Sequence, residues 1–295
     1  MNFGIIANFR RPDAKDTVLR AIKWCQKHGH RAILSEDIKP NVELEVESCP
    51  MKGLWKDSDI IISMGGDGTM LASVRALCEH ARPILGINLG SLGFLTQLTP
   101  ERMENALERV VGGDFLIEER LVLKTEMINE ETLEYPYALN DVVIDNGEVS
   151  RVIHLSLYAN DEYICSYTAD GLIISTPTGS TAYSLAVGGP ILTPHMQAMI
   201  VSPISPFSLT SRPLIFPPDY KLEVRLRSEH GSAMVTIDGQ VATHFASSGR
   251  IRISRADHIV KFIRFEENSF YDILRNKLHW GKLPVVDYNK SDFKE

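Results

Sequence analysis

Residues 59–74 read DIIISMGGDGTMLASV, and this stretch decides the architecture of the first half of the chain. The apolar run Ile60–Met64 predicts a strand buried on both faces. It passes through Gly65-Gly66-Asp67-Gly68-Thr69 directly into a helix whose apolar positions Leu71, Val74, Leu77 and Cys78 share one face. Glycines at this junction allow positive φ and let backbone N–H groups approach a ligand closely. The helix start adds unpaired amides and a partial positive charge, a combination suited to phosphate. Gly65, Gly66, Gly68 and Thr69 are therefore the candidate phosphate loop, although a ligand-free turn has the same composition. Asp67 tips the balance. A carboxylate repels a phosphate, so it belongs in such a cradle if it takes a proton from an attacking hydroxyl or holds a metal bridging the phosphates. A turn aspartate bonding its own backbone is the alternative. Neither GxxxxGK[ST] nor the full dinucleotide glycine fingerprint is present.

Outward from this run, short apolar stretches alternate with helix-period ones. Phe3–Ala7, Ala32–Leu34 and Ile84–Ile87 read as strands, and Val18, Ala21, Ile22 and Cys25 recur at helical spacing. A second glycine loop follows in PILGINLGSLGFL, where Gly90 and Gly93 flank Ser91-Leu92, beside the first at the carboxyl ends of neighbouring strands. Thr99-Pro100 opens a helix with Met103, Leu107 and Val110 inside, and Gly112-Gly113 closes it. Apolar strands alternating with helices predict a parallel sheet covered by helices.

Past residue 115 the pattern turns to β. FLIEERLVLKTEMI alternates, Asp145-Asn146-Gly147 signals a hairpin between ALNDVVI and RVIHLSLY, and KLEVRLR, AMVTIDG, RIRIS and IVKFIRF follow at short spacing. A final helix carries Phe270, Ile273, Leu274 and Leu278 on one face after Asn268-Ser269. The expected fold is an N-terminal α/β domain with a parallel sheet (1–115), a C-terminal all-β, sandwich-like domain (116–267), and a C-terminal helix and tail (268–295) packing on the first domain.

The 295 residues carry 31 Lys+Arg against 38 Asp+Glu, a net charge of −7, which argues against a generic nucleic-acid binder. The four cysteines form no CxxC pair, pointing to a reduced, cytoplasmic setting. The opening residues do not read as a signal peptide, and no apolar run reaches membrane length. His154, His195, His230 and His244 share no ligand spacing, so a structural zinc site is not expected.

A third run, TADGLIISTPTGSTAYSLAVGGP over Thr168–Pro190, is crowded with small hydroxyl residues that could bond a sugar or phosphate, or cap a short helix. GGDGT, NLGSLGFL, Asn140-Asp141 in ALNDVVID, this third run and IDGQ at Ile237–Gln240 together resemble the NAD kinases, which make NADP from NAD and ATP. GGDGT alone is shared with diacylglycerol-type lipid kinases and phosphofructokinases, whereas the TPTGSTAYSLAVGGP run is not. The resemblance implies NAD bound between the two domains and Asp67 as proton acceptor from the 2′-hydroxyl of its adenosine ribose, beside Gly68. It further implies NAD contacts at Asn140, Asp141, Arg151, Asp170, Thr181, Ala182, Tyr183, Ser184, Leu185, Ala186 and Gln240. Thr168 occupies a position that varies in the family. Mg²⁺ or another divalent cation would arrive with ATP, held mainly by its phosphates. The family implies a homodimer or homotetramer, and the charge balance and the lengths of the apolar runs leave neither nucleic acid nor membrane as an expected partner. The alternatives are a lipid kinase using the same glycine loop and a non-catalytic NAD(P) sensor.

Overall fold

The computed structural model describes residues 1–77, 79–128, 133–147, 152–227, 232–246, 249–266 and 269–279. Cys78, Arg151, His230, Asn268 and the tail beyond residue 279 lie outside them. The first half runs β1 (Asn2–Ala7), α1 (Ala14–Lys27), β2 (Arg31–Ser35), β3 (Glu47–Cys49), β4 (Ile60–Gly65), α2 (Asp67–Leu77), β5 (Ile84–Asn88) and α3 (Met103–Val111). The chain continues through β6 (Leu116–Arg120), β7 (Leu123–Ile128), β8 (Tyr137–Ala138), β9 (Asp141–Asp145), β10 (Ile153–Ala159), β11 (Glu162–Ala169) and β12 (Gly171–Ser175). After α4 (Tyr183–Ala186) come β13 (Met199–Ile204), β14 (Leu214–Phe216), β15 (Leu222–Arg227), β16 (Ser232–Ile237), β17 (Val241–Ala246), β18 (Arg250–Arg255) and β19 (Val260–Arg264), and α5 (Phe270–Leu278) closes the described chain.

Strands β3-β2-β1-β4-β5 are parallel neighbours. Every residue of β4 and β5 is buried, as continuous apolar strands between helical layers require. The strand order reverses between β1 and β4, because the chain first moves outward through β2 and β3 and then returns to the other side of β1. Helices and loops diverge there and leave a crevice at the carboxyl ends of the strands. Asn8 and the Gly65–Thr69 run meet at this point, with Asn8 N–H donating to the Met64 carbonyl at 2.9 Å.

Among the described residues twelve of the remaining strands form two six-stranded antiparallel sheets, β11-β10-β15-β18-β7-β8 and β14-β13-β12-β9-β16-β17. Leu155, Val224, Ile251 and Ile253 from one and Val142, Ile144, Leu172 and Val235 from the other share a single apolar core, which is the expected sandwich. A separate cluster joins the two halves. Met70, Leu71, Val74 and Leu77 of α2 pack with Val122, Tyr137, Leu139 and Phe262. The final helix behaves as its pattern predicts: Ser269 Oγ accepts from the Tyr271 N–H at 3.2 Å and Ile273 and Leu274 are buried.

Two expectations are corrected. Residues 116–120 and 260–264, read as part of the β half, belong to the first sheet: β19 lies parallel to β5, and β6 pairs antiparallel with β19 as the edge. The alternation of FLIEERLVLKTEMI is broken at Leu121-Val122, and the two pieces enter different sheets. Asp145-Asn146-Gly147 does turn, with Gly147 at φ +63° and its N–H donating to Asp145 Oδ1 at 2.8 Å. It is not a hairpin, because both edges of β9 are already filled by β12 and β16, so β10 pairs in the opposite sheet.

One glycine sets how closely the third run approaches the Asn140 segment. A Cβ on Gly179 would stand 2.1 Å from the Asn140 carbonyl oxygen and 2.6 Å from Ser175 Oγ. Gly179→Ala therefore overpacks a buried backbone junction and should cost about 1–3 kcal/mol or more, seen as a lowered melting temperature. An unchanged melting temperature would contradict the described packing.

Candidate active site between the two halves

Asp67 is the first residue of α2, so β4 delivers it directly to the crevice. Its carboxylate is held by the second glycine loop. Oδ2 accepts from the Phe94 N–H at 2.9 Å; Oδ1 accepts from the Leu95 N–H at 3.0 Å, the Thr96 N–H at 3.2 Å and Thr96 Oγ1 at 3.3 Å. Gly93 makes this embrace fit, because a Cβ there would stand 2.1 Å from Asp67 Oδ1. Oδ2 carries one bond and keeps acceptor capacity for a second donor. Asp67 is thus tied to its neighbouring loop rather than to its own turn.

The glycines of the first loop act through size. Positive φ, which the sequence pattern anticipated, is absent at Gly65, Gly66 and Gly68. A Cβ on Gly65 would meet Thr69 Oγ1 at 2.1 Å, whereas Gly66 and Gly68 face open space. That space is a cleft of about 500 Å³ lined by Asn8, Arg10, Arg11, Gly66–Thr69, Asn88, Ser91, Gly93 and Lys277, among others. Asp67 is the one acid among the lining residues. The cations come from two places outside the sequence motifs: the loop after β1 supplies Arg10 and Arg11, and α5 supplies Lys277, whose Nζ lies 4.9 Å from the Phe94 ring centre. None of the three forms an ion pair with a carboxylate among the described residues. Their spacing in sequence, 10, 11 and 277, gave no local signal.

The other side of the site is built by the β half. Gln240 donates from Nε2 to the Gly68 carbonyl at 3.1 Å and accepts from Arg75 Nη1 at 2.7 Å, so the β16–β17 turn touches the start of α2. In the same turn Asp238 adopts φ +50°, and its carboxylate accepts from the N–H groups of Leu139, Asn140 and Asp141 at 2.9, 2.7 and 3.1 Å. The Asn140 carbonyl accepts from the Thr176 N–H at 2.9 Å and Ser175 Oγ at 3.2 Å. Asp141 is buried and its carboxylate accepts from the Tyr183 N–H. Tyr183 itself is 45% exposed. Asp67, Gly68, Gln240, Asn140, Asp141 and Tyr183 are therefore joined by direct contacts or by Asp238, an acid inside the IDGQ run that is a further site residue.

Other candidates stand differently. Ser184 is fully buried and bonds Ser202 Oγ at 3.2 Å, and Thr181 Oγ1 donates to the Thr178 carbonyl at 3.3 Å, so both brace the third run. Ala182, Leu185 and Ala186 border the same segment. Asp170 lies at the opposite end of β12, with Gly171 paired to Asp145 while Ser175 pairs to Asp141. At about 3.3 Å per residue this end is roughly 16 Å from Ser175.

Burial pushes the Asp141 carboxyl up to about 7, with the Asp238 charge adding to the effect. Burial also raises Asp238 to about 6, against the opposing pull of its three N–H donors.

A cation-rimmed cleft at a helix start, with one carboxylate among its lining residues, fits a phosphotransferase-type site. The chain matches the ATP-NAD kinase N-terminal domain over residues 3–115 and the ATP-NAD kinase C-terminal domain over residues 139–265. It is 37% identical over 290 residues to the NAD kinase of Moorella thermoacetica, covering 97% of this chain and 92% of that one. The NAD kinase of Heliobacterium modesticaldum is 37% identical over 282 residues, covering 95% and 99%. Among solved structures, an NAD kinase from Archaeoglobus fulgidus in complex with ATP aligns with a TM-score of 0.75 and 25% identity, covering 95% of this chain and 98% of that one. Yeast NADH kinase complexed with NADH has the same fold, with a TM-score of 0.90 at 21% identity, covering 97% and 89%. The chain belongs to the ATP-NAD kinase family, and its activity is ATP-dependent phosphorylation of NAD to NADP. The lipid-kinase and sensor alternatives find no support in these comparisons.

The Asp141–Asp238 pair makes a pH-dependent contribution to stability. Asp141 in the folded chain keeps its proton up to about pH 7, whereas the unfolded carboxyl loses it near pH 4. Its contribution is complete below the lower value and is lost as pH rises through the upper one. Asp141→Asn cannot ionise, so its melting temperature relative to wild type should rise by a few degrees between pH 5 and pH 8. A difference independent of pH would contradict the assignment.

Proposed function

We propose that the Gly66–Thr69 cleft holds the ATP polyphosphate and that Asp67 accepts the proton of the NAD 2′-hydroxyl as it attacks the γ-phosphorus. The observation that carries this reading is the placement of Asp67 between a cation-rimmed cleft and the Asn140–Asp141 segment, with one carboxylate oxygen still able to accept. Helix-start amides, Arg10, Arg11 and Lys277 neutralise the charge on the phosphates, a role that P-loop enzymes give to a loop lysine. Among the described residues no group of three or more His, Cys, Asp or Glu is placed to hold a metal. A divalent cation would arrive on the nucleotide phosphates, and Asp67 is the carboxylate that lines the cleft. Such an ion would neutralise charge on the bridging oxygens.

Transfer of this kind depends mainly on alignment and electrostatics. The four-bonded Asp67 is a fixed acceptor, and its hydrogen bonds set where the ribose hydroxyl must sit. Gln240, Asn140, Asp141 and Tyr183 form the wall that receives NAD, with Gly68 beside the reacting hydroxyl and Thr181 and Ala182 at its border. Ser184, Leu185 and Ala186 contribute by supporting that wall. Asp170 serves NAD in an assembly of two or four copies, where a neighbour's β half brings it to a site its own strand leaves far away. The exposed Phe207 and Leu209 lie close to that end, Phe207 N–H donating to the Thr168 carbonyl at 2.8 Å, and fit burial against a second copy. The free cysteines among the described residues accord with a cytoplasmic setting.

A coupled assay of NADP formation tests the assignment. Asp67→Asn should bind NAD while turnover falls about 10²–10⁴-fold, and full activity would refute the role. Lys277→Gln should raise the KM for ATP by about tenfold or more while the KM for NAD stays near wild type. An unchanged KM for ATP would remove Lys277 from the donor site.

A further inference from the structure

A cluster of buried charge lies beneath the loops that hold Asp67 and Asn140. Glu118 and Arg120 sit on β6, and Arg264 sits on the adjacent β19. Glu118 Oε2 accepts from Arg120 Nη2 and from Arg264 Nε, each at 2.7 Å. Both guanidiniums lie over the Phe262 ring, at 5.5 and 5.4 Å, and the two arginines are only 3% and 9% exposed. Each sends its other arm upward. Arg264 Nη1 donates to the Leu95 carbonyl at 3.0 Å, and Arg120 Nη1 donates to Thr178 Oγ1 at 3.1 Å.

Those two acceptors sit at informative places. The Leu95 N–H donates to Asp67, so the residue clamped by Arg264 through its carbonyl is one that grips the carboxylate through its amide. Thr178 precedes Gly179, the residue pressed against the Asn140 carbonyl. Buried ion clusters are weak sources of stability, and apolar side chains of similar volume often replace them without loss. A rigid planar fork that donates in two directions at once is something no apolar side chain supplies.

We propose that Arg264 is a positioning residue for phosphoryl transfer, fixing the Phe94–Thr96 peptides that aim the Asp67 carboxylate, with Glu118 locking the guanidinium in place. The inference rests on the reading of Asp67 as proton acceptor. Arg264→Gln loses the fork and one charge. Arg264→Lys keeps the pairing with Glu118 but presents a single ammonium that cannot serve both acceptors.

The test compares wild type, Arg264→Gln, Arg264→Lys and Asp67→Asn as full chains. It measures kcat and KM for NAD, direct NAD binding, melting temperature, and amide hydrogen exchange across residues 93–98. Arg264→Gln should lower kcat by roughly 10–10²-fold through misplacement of the acceptor, with KM for NAD and NAD affinity near wild type and faster exchange at Leu95 and Thr96. Arg264→Lys should lie between it and wild type. A reduced melting temperature with unchanged kcat per folded molecule would overturn the proposal, as would a raised KM for NAD with kcat intact. If Arg264→Gln does not fold, Arg264→Lys decides: normal kcat and normal protection at Leu95 overturn it. Full activity in Asp67→Asn would instead remove the reading beneath it. An inactive Asp67→Asn beside a normal Arg264→Gln would remove the positioning role alone.

Discussion

The hydrogen bonds between the Asp67 carboxylate and the Phe94–Thr96 segment are the contact on which the active site depends. They join the carboxyl ends of β4 and β5 across a distance that only glycine at position 93 permits. A charged group in a half-buried crevice needs donors, and backbone amides supply them without a competing cation. The result is a carboxylate of fixed direction at the point where the parallel sheet reverses its strand order. Phosphoryl transfer draws most of its acceleration from such fixed placement.

The β half completes what the sheet begins. Its β16–β17 turn reaches back with Gln240 to the Gly68 carbonyl and with Asp238 to the Leu139–Asp141 amides. One turn therefore controls both the phosphate loop and the segment carrying Asn140. Burial of the Asp141 and Asp238 carboxyls, with the Asp238 charge adding to the effect at Asp141, is the energetic cost of placing two acids behind that wall, and pairing with N–H groups offsets part of it. The apolar cluster of Met70, Leu71, Val122 and Phe262 holds the halves in the register that these polar contacts require.

Much of this was legible in the chain. Continuous apolar runs marked β1, β4 and β5, and the GGDGT junction placed Asp67 at a helix start, because both features are local and each has a single period. Sheet membership was harder to read. The edge strand Leu116–Arg120 alternates like any sandwich strand, and nothing in its own residues says that β19, well over a hundred positions later, is its partner. The 145–147 turn misled for the same reason: local turn chemistry is silent about whether both edges of β9 are already occupied. Lys277 and Arg264 were invisible as site residues because their chemistry depends on what the fold brings beside them. Asp238 carried a usable signal, an acid at a turn requiring positive φ, whose side chain is free to aim inward.

The account stands on Asp67 being the atom-level partner of a ribose hydroxyl. A crystal structure of the enzyme with NAD addresses this most directly. The account predicts Asp67 Oδ2 within about 2.6–3.2 Å of the adenosine 2′-oxygen, with the Phe94–Thr96 amides still bound to the carboxylate. A dinucleotide seated between the halves with its 2′-oxygen beyond reach of that carboxylate, and facing a different side chain, would contradict it.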